Sequence, residues 1–248
     1  MNKIINKDIL DGLKEIAPGS INLIFIDPPY NLKKQYADNI KDSWDNQKEY
    51  LSWIFQWLDI AIKKLTPHGS LYIMNTTQNM PYIDIHLQEY MHIKSRIIWF
   101  YDSSGVQAKK YFGSLYEPIL FCTKCKDNYT FNNKDISIKT KTGAVRNLID
   151  YRKNPPSLYS KTKVPGNVWY FPRVRYKMSE YIKHPSQKPQ ALLERIVKAS
   201  SNKNDTVLDL FAGSFSLGVV CNKLKRNYIG IELSHTYCRN ANTLLNQK

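Results

Sequence analysis

The sequence predicts an α/β fold built on an open, mostly parallel sheet, and three observations carry that expectation. Short apolar stretches alternate along the chain with longer ones whose apolar residues recur at helical spacing. The stretch 21–26 is apolar on both faces (Ile21, Leu23, Ile24, Phe25, Ile26), as a strand covered by helices above and below must be. Near the C-terminus a strand, a tight turn, a helix and a second strand follow one another in TVLDLFAGSFSLGVVC and NYIGIEL.

With 248 residues the chain suffices for one large domain or two small ones, and a hydrophobic content of 42% supports a packed core. No run approaches about 18 consecutive apolar residues, and the opening MNKIINKDIL lacks an apolar signal core, so a soluble, cytoplasmic protein without membrane contact is expected.

In chain order, the strand at 21–26 is followed by the segment DPPYN and a polar loop containing Tyr36, Asp42 and Trp44. YLSWIFQWLDIAIKKL then places Leu51, Ile54, Phe55, Leu58, Ile62 and Leu65 at helical spacing. The PHG of 67–69 is expected to stop that helix before a strand at 70–75. YIDIHLQEYM reads as a helix, and 95–101 and 117–122 as strands separated by the polar loop DSSGVQAKK. From about 130 to 185 no clean period survives, which suggests an insert attached to the sheet. Alternation resumes with KPQALLERIVKASS, a helix whose first turn takes Pro189, and ends with a helix capped by Ser234.

Cys122, Cys125, Cys221 and Cys238 are too few and too scattered for a disulfide framework. The C-x-x-C of Cys122 and Cys125 has no second pair beside it, so reduced thiols are expected and no metal.

The net charge of +15 is concentrated. Between Lys134 and Lys188 there are 13 lysines or arginines against three acids, interleaved with Tyr151, Tyr159, Trp169, Tyr170, Phe171, Tyr176 and Tyr181. Cations attract phosphates and rings pack on sugars and bases, so nucleic acid is the favoured partner over a merely solvated basic loop.

Two half-sites stand out. In the C-terminal unit Asp209 ends a strand, Gly213 makes the turn, and Glu232 closes the next strand 19 residues later. An acid at that separation typically binds ribose hydroxyls across the carboxyl ends of adjacent strands. The G-x-G-x-x-G fingerprint is missing, since 213–218 reads GSFSLG, and no Gly-Lys-Ser/Thr occurs. Without a phosphate cradle the ligand suggested is a nucleoside lacking phosphates, and S-adenosylmethionine fits; a structural βαβ turn is the alternative. The other half-site is the DPPY of 27–30. The Asp27 carboxylate and the Pro28 carbonyl can both accept from one exocyclic amine, while Pro28 and Pro29 keep them aimed. Tyr30 can lie against the base, a stack worth roughly 1–3 kcal/mol. Two acceptors on one NH₂ free its lone pair to attack an activated methyl group directly. The alternative is a strand-ending turn whose Asp caps a helix.

DPPY after an apolar strand, with FAGSFS after VLDL near the C-terminus, resembles the amino-group DNA methyltransferases. The catalytic motif first, the basic segment next and the cofactor motif last is similar to their permuted β-type, and the resemblance covers nearly the whole chain. It implies a Rossmann-like methyltransferase sheet in which 1–130 is the catalytic half, 131–183 a target-recognition insert and 184–248 the cofactor-binding half. HPSQKP, with His184 and Lys188, resembles the segment placed against the methionine part of the cofactor. INKDILDGLKEI resembles the N-terminal piece whose acid, here Asp8 beside Ile9, contacts the cofactor's adenine. Asp209, Phe211, Ala212, Gly213, Ser214 and Glu232 complete the implied cofactor set. Where the family loop usually runs G-S-G-T-T, this chain has Phe215 in place of the second glycine.

KSRIIWFYDSSGVQAKKYFGSLYEPIL, IDYRKNPP and VPGNVWYFPRVRY are similar to solitary bacterial adenine methyltransferases acting on ATGCAT. The implied reaction is methyl transfer to N6 of an adenine flipped out of double-stranded DNA. Asp27, Pro28, Pro29 and Tyr30 would be its catalytic residues, and the loop 31–48 a lid. Lys109, Lys110, Arg146, Arg152, Lys153, Arg173 and Arg175 would contact DNA. The family also suggests a homodimer. N4 of cytosine is the alternative amine, although Ser more often replaces Asp27 there; a dead DNA-binding relative and a NAD-dependent enzyme are further alternatives. Carbon-5 methylation is disfavoured because no Pro-Cys occurs.

Overall fold

A computed structural model describes residues 2–40, 42–102 and 108–245. In chain order the elements are β1 (Asn2–Ile5), α1 (Ile9–Lys14), β2 (Ile21–Ile26), a 3₁₀ turn (Ala37–Asn39), α2 (Gln47–Lys64), β3 (Leu65–Met74), α3 (Met80–Gln88), β4 (His92–Phe100) and β5 (Tyr116–Thr123). They continue with β6 (Ile138–Lys139), β7 (Ile149–Asp150), β8 (Ser157–Leu158), β9 (Thr162–Lys163), β10 (Val168–Tyr170), α4 (Gln190–Ser200), β11 (Thr206–Asp209), α5 (Ser216–Lys223), β12 (Asn227–Ile231) and α6 (His235–Leu245). Most of the polar loop expected at 102–110 lies outside the described residues.

Eight strands form one sheet in the order β1-β12-β11-β2-β3-β5-β4-β10, and every neighbouring pair is parallel except those of β5 with β3 and β4. The sheet is therefore open and mostly parallel, as the alternation of elements implies. Alternate residues of each central strand feed two cores. Ile24 and Ile26 of β2, Leu71 and Ile73 of β3 and Leu208 of β11 pack with α1, α2 and α3 on one face. Leu23 and Phe25, Tyr72 and Met74, and Val207 pack with α4, α5 and α6 on the other. A strand enclosed on both faces has no polar side to spare, which is why 21–26 is apolar throughout.

Local departures from expectation have local causes. Helix α2 begins at Gln47 because the Asn46 side chain accepts from the Glu49 N–H at 3.0 Å. The PHG at 67–69 does not separate that helix from the next strand. Leu65 passes directly into β3 and pairs with Ile21, and the register shifts before Leu23 pairs with Ser70. Gly69 sits in this irregularity, where a Cβ would come within 3.1 Å of the Ile21 and Thr66 carbonyl oxygens. Pro189 occupies the N-cap of α4 and not its first turn. The aperiodic stretch from about 130 to 185 contains two short antiparallel pairs, β6 with β9 and β7 with β8, and it also supplies β10, which pairs with β4 at the edge of the main sheet.

Ile24 is fully buried between β11 and β3. Ile24→Ala is expected to lower the unfolding free energy by about 2–5 kcal/mol without changing the denaturant slope. A loss below about 1 kcal/mol in urea titration would contradict the central place given to β2.

Candidate active site

Strands β2 and β11 end side by side in the middle of the sheet. The Leu210 N–H still donates to the Phe25 carbonyl at 3.3 Å; beyond that point one chain turns into Asp27–Tyr30 and the other into Phe211–Ser214. A cavity of about 260 Å³ opens where they diverge. Asp8, Ile9, His184, Lys188, Asp209, Phe211, Ala212, Gly213, Ser214 and Glu232 all line it, with Asp27 and Pro29 on the β2 side. Pro28 and Tyr30 are not part of this lining; Tyr30, expected to lie open to a base, is 9% exposed and packs in the second core.

On the β11 side a carboxylate organises the turn. Glu232 Oε2 accepts from the Gly213 N–H at 2.8 Å and Oε1 from the Ser234 N–H at 2.7 Å. Burial raises the Glu232 carboxyl above its ordinary range against these bonds. Gly213 has φ +47°, and a Cβ there would lie 2.8 Å from His184 Nε2, so the turn requires glycine for both conformation and room. Burial pulls His184 down to about 4, leaving a neutral imidazole whose Nδ1 accepts from the Ser186 N–H at 3.3 Å. Asp209 is pushed up to about 8, first by burial and then by the charge of Asp27. Its Oδ2 accepts from the Tyr228 hydroxyl at 3.3 Å, whereas Oδ1 is buried without a partner among the described residues. Asp8 caps α1 by accepting from the Leu10 N–H at 2.9 Å.

Phe215 adopts the left-handed conformation, φ +56°, and its ring is 1% exposed in the core among α4, α5 and α6. The ring is thus directed away from the large cavity, whose lining passes from Ser214 to Ser216. Replacing glycine here costs backbone strain of about 1–2 kcal/mol and no cavity volume.

On the β2 side four side chains converge. Lys188 Nζ lies 2.7 Å from Asp27 Oδ2 and 3.6 Å from Glu117 Oε2. The Tyr30 hydroxyl is 2.5 Å from Asp27 Oδ1 and 3.1 Å from Glu117 Oε2, donating to this pair of carboxylates. Burial works against the Lys188 charge, but Asp27 and Glu117 outweigh it and hold the ammonium above its ordinary range. Lys188, expected from its motif beside the cofactor, therefore also binds the Asp27 carboxylate, and it covers one face of the Tyr30 ring at 5.4 Å from the centroid. Lys34 lies close enough for its pKa to be lowered, by burial first and by Lys188 second. The proline turn is fixed from below: the Tyr50 hydroxyl donates to the Pro29 carbonyl at 2.6 Å and accepts from Asn75 Nδ2 at 2.8 Å. The Pro28 carbonyl is bonded to no donor among the described residues.

The loop expected as a lid does border the cavity through Tyr36, Ile40 and Trp44. Fully buried Asp42 accepts from the Asn31 and Leu32 N–H groups, the latter at 3.1 Å. Asp38 accepts from Ser234 Oγ at 2.7 Å and from Thr236 N and Oγ1 at 3.0 and 2.7 Å, tying the loop to the start of α6. Asn31, Lys33, Asp38 and Asn39 all have positive φ, a concentration of unfavourable backbone in one segment. Sequence reasoning missed Glu117, Asp38 and the Tyr237 ring at the rim. The one available signal was an acid opening the otherwise apolar strand EPILFC.

The residues expected to meet DNA are exposed: Lys109, Lys110, Arg146, Arg152, Lys153, Arg173 and Arg175. Arg173 lies over the Tyr101 ring at 5.2 Å, and Arg152 pairs with Asp150 at 2.8 Å. No group of three or more metal-capable side chains occurs among the described residues, and no helix there is long and apolar enough to cross a membrane.

A family model described as DNA methylase (N6_N4_Mtase) matches residues 21–243. The chain is 53% identical to the DNA adenine methyltransferase YhdJ of Escherichia coli (strain K12) over 236 residues, 95% of this chain and 80% of that protein. It is 36% identical to the type II methyltransferase M1.MboII of Moraxella bovis, over 100% of this chain and 97% of that protein. Among solved structures, the M1.HpyAVI–SAM complex is similar with a TM-score of 0.70 at 24% identity, covering 99% of this chain and all of that one. The PvuII cytosine-N4-specific DNA methyltransferase is similar with a TM-score of 0.73 at 17% identity, covering 95% and 83%. These two likenesses concern the fold.

Asp209 has a consequence for stability. In the unfolded chain its carboxyl titrates near 3.8; folded, it keeps its proton up to about 8. The stability that depends on a neutral Asp209 is therefore complete below about pH 4 and lost as the pH rises to about 8. His184, lowered to about 4 in the fold, acts with the opposite sign, but equally in wild type and in Asp209→Asn. The variant is expected to lose less stability than wild type between about pH 6.5 and 8 in urea titrations; equal losses would clear Asp209.

Proposed function

The chain belongs to the N6/N4 DNA methylase family, and on that premise we propose that it transfers a methyl group from S-adenosylmethionine to N6 of an adenine flipped out of double-stranded DNA. The observation that carries this reading is that Asp27 and the Gly213 turn border one cavity from adjacent strands. An amine held at the first and a methyl donor held at the second would share that cleft.

The cavity suits the cofactor. A buried Asp209 oxygen lacks a donor among the described residues, and the Gly213 position has no room for a Cβ. Glu232 suits the ribose hydroxyls, Asp8 with Ile9 the adenine, and Phe211, Ala212, Ser214 and His184 the remaining walls. When bound, S-adenosylmethionine supplies the electrophilic methyl group. The protein's part is positioning: Asp27 and the Pro28 carbonyl each accept one hydrogen of the target amine, turning its lone pair out of conjugation with the ring. The anionic Asp27 favours the positive charge that grows on N6. Pro29 keeps the acceptors aimed, and Tyr30 is the ring nearest them for the base to meet. A Phe215 ring turned into the cofactor cavity would favour a dead DNA-binding relative; Phe215, buried in the core and outside the cavity lining, gives that reading no support.

In this reading 1–130 and 184–248 are the two halves of the methyltransferase domain and 131–183 is the target-recognition insert. Arg146, Arg152, Lys153, Arg173 and Arg175, with Lys109 and Lys110, contact DNA. The resemblance of the chain further suggests the site ATGCAT, a homodimer and action in the cytoplasm.

Incubation with unmethylated DNA and methyl-labelled S-adenosylmethionine, followed by digestion to nucleosides, is expected to place the label in N6-methyladenine; label in N4-methylcytosine would overturn the base assignment. Asp27→Ala is expected to abolish transfer while DNA binding persists, and retained turnover would refute the role of Asp27. Gly213→Ala is expected to weaken cofactor binding about tenfold or more, a loss of about 1.4 kcal/mol or more in a calorimetric titration.

A further inference from the structure

Two carboxylates and one ammonium share the space beside Tyr30. All are largely enclosed, with side-chain exposures of 8% for Lys188, 14% for Asp27 and 18% for Glu117. Asp27, the group assigned to the target amine, already holds a cation on Oδ2. That is an unfavourable arrangement for methyl transfer. Positive charge grows on the amine nitrogen as the methyl arrives, and a second cation on the same enclosed carboxylate opposes it. Lys188 cannot simply be released, because an enclosed ammonium without a partner is strongly disfavoured. Glu117 Oε2 stands 3.6 Å from the same Nζ, and the Tyr30 hydroxyl lies between the acids, 2.5 Å from Asp27 Oδ1 and 3.1 Å from Glu117 Oε2.

Resting on the assignment of Asp27 to the target amine, we propose that Glu117 is a positioning residue for the reaction: it receives the Lys188 ammonium when the target amine takes its place on Asp27. Glu117 never touches the base. It keeps Lys188 paired while moving that positive charge off the carboxylate that faces the reacting nitrogen. Glu117 also belongs to β5, the one strand of the eight-stranded sheet antiparallel to both its neighbours, so its side chain enters the site from a different part of the sheet than Asp27.

A double-mutant cycle tests this. Glu117→Gln keeps the volume and an acceptor for Tyr30 but cannot pair an ammonium, and Lys188→Met removes the cation. Glu117→Gln is expected to slow single-turnover transfer about 10–100-fold, to leave the half-saturating S-adenosylmethionine concentration unchanged, and to cost nothing further in the Lys188→Met background. Equal slowing in both backgrounds, or an unslowed Glu117→Gln enzyme, would overturn the proposal. A structure of the wild-type protein with a duplex and a non-reactive cofactor analogue decides independently of turnover. Lys188 Nζ nearer Glu117 than Asp27, with the amine on Asp27, is the expected result; Nζ still on Asp27 beside the bound amine refutes it. Wild-type label on another base, or none, counts against the adenine reading and leaves this structural comparison standing.

Discussion

Between Leu23 and Val207, Ile24 and Leu208, and Phe25 and Asp209, the backbones of β2 and β11 run in parallel register. That short ladder joins two parts of the chain that are far apart in sequence, and the site exists only because both strands end at the same level. Parallel strands point their carboxyl ends the same way, so the residues after each strand emerge together, where a crevice forms between diverging loops. The apolar side chains that secure the ladder are shared between two cores, one on each face. Removing either core would tilt the ladder, and with it the alignment of Asp27 against Gly213.

Charge in the cleft is balanced by placement more than by solvent. Asp209 becomes neutral because it is buried near the charged Asp27, while Asp27 stays beside a lysine. Two acids near one another at the ends of neighbouring strands thus sit in different surroundings, one buried beside a tyrosine hydroxyl and the other paired with an ammonium. His184 is held neutral by enclosure as well, behind the glycine turn.

Much of this was legible in the sequence because it is written in local patterns. The strand 21–26 shows its burial on both faces directly, and the helix after it shows its spacing. Asp209, Gly213 and Glu232 form a recognisable interval, and all ten residues assigned to the cofactor line one cavity. What escaped depends on contacts between distant segments. β1 is four residues long and acquires its identity only by pairing with β12 at the other end of the chain. Glu117 looks like a strand-opening acid until Lys188 is brought beside it by the fold. The expected break at 67–69 failed because a bulge absorbs Pro67 and Gly69 inside β3 without ending it. The same stretch of about 130 to 185 lacked a period since its strands are two or three residues long, too short for one.

The pairing of β10 with β4 bears on how this chain can diverge. Val168, Trp169 and Tyr170 are stitched to Ile98, Trp99 and Phe100, and Trp169 is buried with its indole N–H given to the Gly166 carbonyl. The basic segment is moored to the sheet domain through β10, and near its start Asn132 bonds to Lys198, Ser201 and Asn202 at the end of α4, while its tips are exposed. Mutational drift can rewrite the surface of those tips at little cost to folding, but a change at the mooring acts on β4, whose other neighbour β5 carries Glu117. Lineages descended from such a scaffold would be expected to vary in what they recognise much sooner than in the chemistry they perform.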